Sequence, residues 1–170
     1  GESYLDRYGF TYDQVLTTAD FDLSTPAPGI QQGNYLGNLA ADAFLWAVQT
    51  LSQEGPVDAP TVALTASGVL RAPLPAGEVT TAQVFDVLCA GSGADGTAGS
   101  PLVSCYLTGK ELRSVLEVDA SIAPLMPEAQ LYASGVEYSF NTHRMFLNKV
   151  TDVRLTQTGE APDSGRLYRV

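Results

Sequence analysis

Arg71 closes the run Thr65-Ala66-Ser67-Gly68-Val69-Leu70, and its type and neighbours suit it to chemistry better than any other residue in this chain. A guanidinium placed just after a turn of small residues can grip phosphate oxygens through two parallel charge-assisted hydrogen bonds. The small side chains of Ser67 and Gly68 would let backbone N–H groups approach the same anion. An arginine here is also able to pair with a surface carboxylate, and the chain has many of those. Groups for hydrolysis are missing. The one histidine, His143, sits in the polar turn Asn141-Thr142-His143-Arg144 and reads as a solvated loop residue. There is no Asp-x-His pair and no ligand cluster of the kind a two-metal site needs, so the sequence offers neither a catalytic residue nor a metal ligand.

Charge narrows the partners. Nine basic against nineteen acidic side chains give a net charge of −10 in 170 residues. A surface of that sign repels a phosphate backbone, which argues against polymeric nucleic acid. Small anionic substrates remain open to it, given a local positive centre. A hydrophobic fraction of 45% marks a globular chain of one-domain size, and no apolar stretch is long enough to span a bilayer. The polar start Gly1-Glu2-Ser3 is expected to follow an export signal or an upstream domain that has been removed.

The elements that must position Arg71 can be read from capping and periodicity. Residues 1–29 form a lead-in: a short amphipathic stretch around Tyr4, Leu5 and Tyr8, then Val15-Leu16, then the irregular Pro26-Ala27-Pro28-Gly29. Asn34 is placed to cap a helix whose stripe is Leu36, Leu39, Ala40, Ala43, Phe44, Ala47, Val48 and Leu51, stopped by Gly55-Pro56. A strand is expected over residues 61–64. Thr80 and Gln83 have capping-box spacing, as do Thr108 and Glu111, and each pair opens a helix. Strands are expected at Leu102 to Leu107, around Val136, Tyr138 and Phe140, around Val153 and Leu155, and from Leu167 to Val170. This mixture predicts an α/β (mixed α+β) domain, a mixed sheet packed with helices.

In this order and spacing, six segments carry a resemblance. They are Leu36-Gly37-Asn38-Leu39-Ala40-Ala41-Asp42-Ala43, the turn from Ala63 to Arg71, Gly77 to Thr80 running into Val84-Phe85-Asp86-Val87-Leu88, Leu107-Thr108-Gly109-Lys110-Glu111-Leu112, Gly135-Val136-Glu137-Tyr138, and Leu167-Tyr168-Arg169-Val170. Across about residues 20–170 the chain resembles the C-terminal domain of the 5'-nucleotidase and UDP-sugar hydrolase family. The resemblance implies residues 30–170 as a substrate-binding domain that stops short of the family's last segment. Its partner would be an N-terminal metallophosphatase domain in the same polypeptide, holding two divalent metals. It also implies Arg71, Ser67, Gly68 and Gly135 as substrate-binding residues, a small phosphoester of nucleotide catabolism as substrate, and a periplasmic or extracellular location. Asn38 and Asp42 complete the matched helix start, with Asp42 expected to fix the helix against a neighbouring turn.

There are departures from the family pattern. Ala66 stands where the family usually has Asn, Val69 where it has Gly, and Ala90 where it has a base-stacking Phe. These leave a second class of function open, a non-catalytic binding or interaction domain that keeps the fold. The family packs the segments bearing Cys89 and Cys105 side by side. Here a longer Gly-rich loop joins them, and a disulfide closing it would contribute about 3 kcal/mol. Two separate buried thiols are the other reading.

Overall fold

Among the described residues, each of three helices starts where its cap dictates. The computed structural model describes residues 5–6, 8–28, 30–51, 59–89, 91 and 99–170. Tyr4, Gly29, the Gly55-Pro56 helix stop, Ala90 and residues 92–98 of the Gly-rich loop lie outside them. Helix α1, Tyr35–Leu51, opens with Asn34 Oδ1 accepting the Gly37 N–H at 2.9 Å. Helix α2, Thr81–Val87, and helix α3, Gly109–Ile122, each open on a complete capping box. In the second box Glu111 accepts the Thr108 N–H at 2.7 Å while Thr108 Oγ1 accepts the Glu111 N–H at 3.2 Å. Those bonds hold the Glu111 carboxyl below its usual range and satisfy two backbone N–H groups that the first turn would leave unpaired.

Eight strands are described: β1 Val15–Ala19, β2 Ala63–Ala66, β3 Gly77–Thr80, β4 Tyr106–Thr108, β5 Leu131–Ser134, β6 Val136–Phe140, β7 Val150–Leu155 and β8 Leu167–Arg169. They form four antiparallel pairs, β1 with β3, β2 with β5, β4 with β8 and β6 with β7. The expected mixture of helices and strands is present, with small antiparallel pairs in place of one mixed sheet. β1 lies within the expected lead-in, and Leu23 bridges Leu74 a few residues later, so the lead-in is stitched to the rest by backbone hydrogen bonds. β2 starts two residues later than expected. β4 starts four later, with Leu102 and Val103 exposed and unpaired as strand.

The apolar residues collect in two clusters. One gathers Val62, Leu112, Leu116, Val136, Val153 and Tyr168 between α3 and the β6–β7 and β4–β8 pairs. The other joins Leu36 and Ala40 of α1 to Leu70, Leu74, Val79 and Val87. β5 divides them: Tyr132 belongs to the second cluster, while Ala133, on the opposite strand face, packs against the first. The buried face of α1 differs from the expected stripe, since Leu39 and Ala43 are exposed whereas Gly37 and Ala41 are buried. The reason is that α1 carries only one charged residue, Asp42, and is apolar on nearly every side. Periodicity therefore selects no face. Gly37 does, because only a residue without a side chain can lie against the Tyr132 ring.

Candidate functional site

The turn before Arg71 is built to pack. β2 ends at Ala66, and Ser67–Val69 makes one short 3-10 turn against a second one, Pro127–Ala129. Ser67 donates its N–H to Gln130 O at 2.8 Å and its hydroxyl to Pro127 O at 2.6 Å. Gly68 lies so close to Glu128 that a Cβ would stand 3.0 Å from its carbonyl oxygen. Leu70, buried in the second cluster, anchors the exit of the turn. Arg71 then donates its N–H to Val87 O at 2.8 Å, fixing its backbone to the end of α2. Its side chain is exposed and has no hydrogen-bond or ion-pair partner among the described residues. The turn thus presents an uncompensated guanidinium on a clamped backbone, while Ser67 spends both of its donors inside the protein.

Gly135 lies elsewhere. It joins β5 to β6 at φ +82°, and a Cβ there would fall 2.0 Å from Thr61 O, so close backbone approach requires glycine at this position. It lines a groove of about 720 Å³ together with Asn38, Asp42, Tyr138 and Arg154, whereas Ser67, Gly68 and Arg71 do not line it. Asn38 and Asp42, one turn apart on α1, therefore face a cavity. Four carboxylates (Asp42, Asp119, Glu137 and Asp152) stand around this groove against the single arginine, Arg154, which is itself paired with Asp152 at 2.7 Å. Such a lining suits a neutral or cationic polar molecule better than a bare anion. Tyr138 and Phe140, stacked with ring centroids 5.8 Å apart, give it an aromatic wall.

Asp119 and Tyr138 form the most perturbed part of this groove. Asp119 is buried on α3; its Oδ1 accepts the Leu131 N–H at 2.7 Å and its Oδ2 accepts the Tyr138 hydroxyl. Burial raises the Asp119 carboxyl above its ordinary value, and the two hydrogen bonds act against that rise. Burial and the neighbouring carboxylate push Tyr132 up to about 12, and the same causes drive Tyr138 higher. Both Asp119 oxygens are engaged by donors that hold β5 and β6 to α3. The group is therefore a positioning residue, tying two strands to the helix that carries it. The sequence carries a signal for it: an aspartate at the i+7 and i+3 positions after Leu112 and Leu116, on the buried stripe of α3.

His143 is exposed, its N–H donating to Asn141 Oδ1 at 2.9 Å. No group of three or more His, Cys, Asp or Glu side chains able to hold a metal ion occurs among the described residues. Cys89 and Cys105 are both free and exposed, so the expected bridge is not made. Cys89 lines a cavity with Phe10, Leu16 and Val84, whereas Cys105 is held in backbone pairing to Val170 and lines a different one with Phe44 and Leu45.

Comparison with known proteins gives the class of domain to which this arrangement of helices and short antiparallel pairs belongs. The chain belongs to the 5'-nucleotidase C-terminal domain family, whose pattern matches residues 11–170. Among solved structures it is similar to a 5'-nucleotidase precursor from Thermus thermophilus, with 29% identity and a TM-score of 0.70 over 92% of this chain and 29% of that one. The fold is also that of the NAD nucleotidase of Haemophilus influenzae, at 20% identity and a TM-score of 0.65, over 94% of this chain and 28% of that one. The chain therefore spans under a third of the length of these structures. No curated protein matched the chain by sequence.

Proposed function

We propose that this chain is the substrate-binding part of a two-domain, metal-dependent phosphoesterase of the 5'-nucleotidase type, acting on nucleotides or related phosphoesters outside the cytoplasm. The observation that carries this reading is the unpaired Arg71 guanidinium, fixed by backbone to α2 in a protein of net charge −10. In so acidic a chain an arginine without a carboxylate partner is a positive centre available to an anion. The two divalent metals of the reaction would be held by a preceding metallophosphatase domain, where they would activate the attacking water. This chain's part would be to hold and orient the substrate, with Arg71 on the phosphate. Residues 1–29 would then continue the connection between the two domains, pinned here by β1 and by the Leu23–Leu74 bridge.

Ala90, standing where the family has a base-stacking Phe, argues against the usual aromatic clamp on a nucleobase, and Ala66 removes a polar side chain that could bond substrate. The substrate is accordingly expected among phosphoesters whose non-phosphate part is recognised by polar contacts. The test is a hydrolysis screen of the full polypeptide with added divalent metals against nucleotides, UDP-sugars and cyclic nucleotides, repeated with Arg71→Ala. Activity that falls by about one to two decades in kcat/KM in the folded variant supports the reading. Failure to hydrolyse any phosphoester would favour a non-catalytic binding domain.

A further inference from the structure

The loop between β6 and β7, residues 141–149, displays three consecutive large apolar side chains to solvent: Met145 is 79% exposed, Phe146 57% and Leu147 51%. Such a run is unusual on a soluble surface and marks a contact site. Its backbone is nevertheless firmly held. Six of its nine N–H groups are bonded within the protein: those of Asn141, His143, Arg144, Leu147, Asn148 and Lys149. Leu147 donates to Ser121 Oγ at 2.9 Å, and the Glu117 carboxylate accepts the N–H groups of Lys149 and Val150 at 2.7 and 2.9 Å, so α3 braces the loop from beneath. Leu147 also has a φ of +57°, and no other non-glycine residue described has a positive φ. A branched residue is held in a strained conformation while its side chain stays in water, so folding gains nothing from displaying it.

Charge points to the occupant. The loop carries Arg144, Lys149 and His143 and no carboxylate, although the chain as a whole has a net charge of −10. Arg144 and His143 have no side-chain partner among the described residues. We propose that the β6–β7 loop is a membrane anchor that inserts Met145 and Phe146 into a lipid surface, with Arg144 and Lys149 on anionic headgroups. Apolar tips and flanking cations suit entry into a headgroup and acyl boundary, where the N–H groups of Met145 and Phe146, which the protein leaves unbonded, can meet headgroup oxygens. Repulsion between the acidic remainder and the lipid is screened beyond roughly 8–10 Å at physiological salt, so the loop's cations act against only the nearest carboxylates, Glu117 beneath the loop among them.

The experiment is vesicle partitioning of the protein at physiological salt, with phosphatidylglycerol–phosphatidylcholine vesicles against phosphatidylcholine alone. Binding should favour the anionic vesicles. Phe146→Ser should lower the partition coefficient about tenfold or more, and Arg144→Ala with Lys149→Ala about thirtyfold. Phe146 and Arg144 are exposed and Lys149 is half-buried, and unfolding midpoints close to that of the parent will show that the variants fold. Equal binding to both vesicles, no binding to either, or binding indifferent to Phe146→Ser would overturn the proposal. A concentration-dependent dimer abolished by Phe146→Ser, without vesicle binding, would assign the loop to a second copy and also overturn it.

Discussion

Gly37 of α1 and Tyr132 of β5 share one contact, so tight that a Cβ built on Gly37 would lie 2.4 Å from Tyr132 Cγ. The buried ring has no room to swing away, since it belongs to the cluster that holds Leu36 and Ala40. Two effects of Gly37→Ala oppose each other. Helix propensity favours alanine by up to about 1 kcal/mol, while overpacking a closed core costs about 1–3 kcal/mol. Overpacking should win, and the urea midpoint should fall with little change in m. An unchanged or raised midpoint would show that α1 can lift off the ring.

Asp119 should make stability depend on pH in an uncommon direction. Burial raises its carboxyl above the ordinary 3.8, so the folded protein favours the protonated form. Its stabilising contribution is then complete below about pH 3.8 and is lost as pH rises through the folded-state value. Asp119→Asn removes that loss, because an amide can still accept the Leu131 N–H. The stability difference, variant minus parent, should therefore grow as pH rises from 3 to 7. A flat difference would contradict the raised value.

At the alkaline end, Tyr132 and Tyr138 should resist ionisation. Their folded values lie above the ordinary 10.0, at about 12 for Tyr132 and higher for Tyr138, so their stabilising effect is present below pH 10 and drains away above it. Ultraviolet titration at about pH 11 should find Tyr132 and Tyr138 still protonated, released only as the protein unfolds. Ionisation of Tyr138 at that pH in the folded state would mean that the Asp119–Tyr138 contact is open to water.

Arg71→Lys separates a phosphate grip from simple positive charge. A lysine keeps the charge but cannot reproduce the two parallel hydrogen bonds of a guanidinium. In an active full-length enzyme it should recover only part of the kcat/KM lost in Arg71→Ala. Full recovery would reduce the role of Arg71 to a general field.

Both cysteines should react in the native, unreduced protein, giving two equivalents in a thiol titration, because Cys89 and Cys105 are free and exposed. Fewer than two would reveal a bridge between them.

Strong local signals in the sequence translated directly into structure. Asn34, the Thr80–Gln83 pair and the Thr108–Glu111 pair each mark a helix start, since a cap is a contact between residues three apart and needs no knowledge of the fold. The β6–β7 hairpin was equally legible from alternation in Val136, Tyr138 and Phe140. β5 was not: Leu131-Tyr132-Ala133-Ser134 has no β-branched residue, and its two faces meet different clusters, so no alternation of polar and apolar residues marks it. The site was partly legible. Arg71 could be singled out from its turn, but the packing of Ser67 and Gly68 against the Pro127–Ala129 turn, and of Gly135 against Thr61, is revealed only by tertiary contact. The groove beside Asn38 and Asp42 could not be foreseen, because its walls come from α1, β5 and β6, far apart in the chain.

The position of β8 imposes an order on biosynthesis. Residues 167–169 pair with 106–108, Arg169 O accepts the Thr61 N–H, and Tyr168 completes the cluster around Leu112 and Leu116. A nascent chain lacking this strand leaves that cluster open on one side, with Val62 and Leu116 uncovered. The domain can therefore close only after residue 170 has cleared the ribosomal tunnel, and until then the apolar face that strand β8 covers stays exposed to whatever else is in solution.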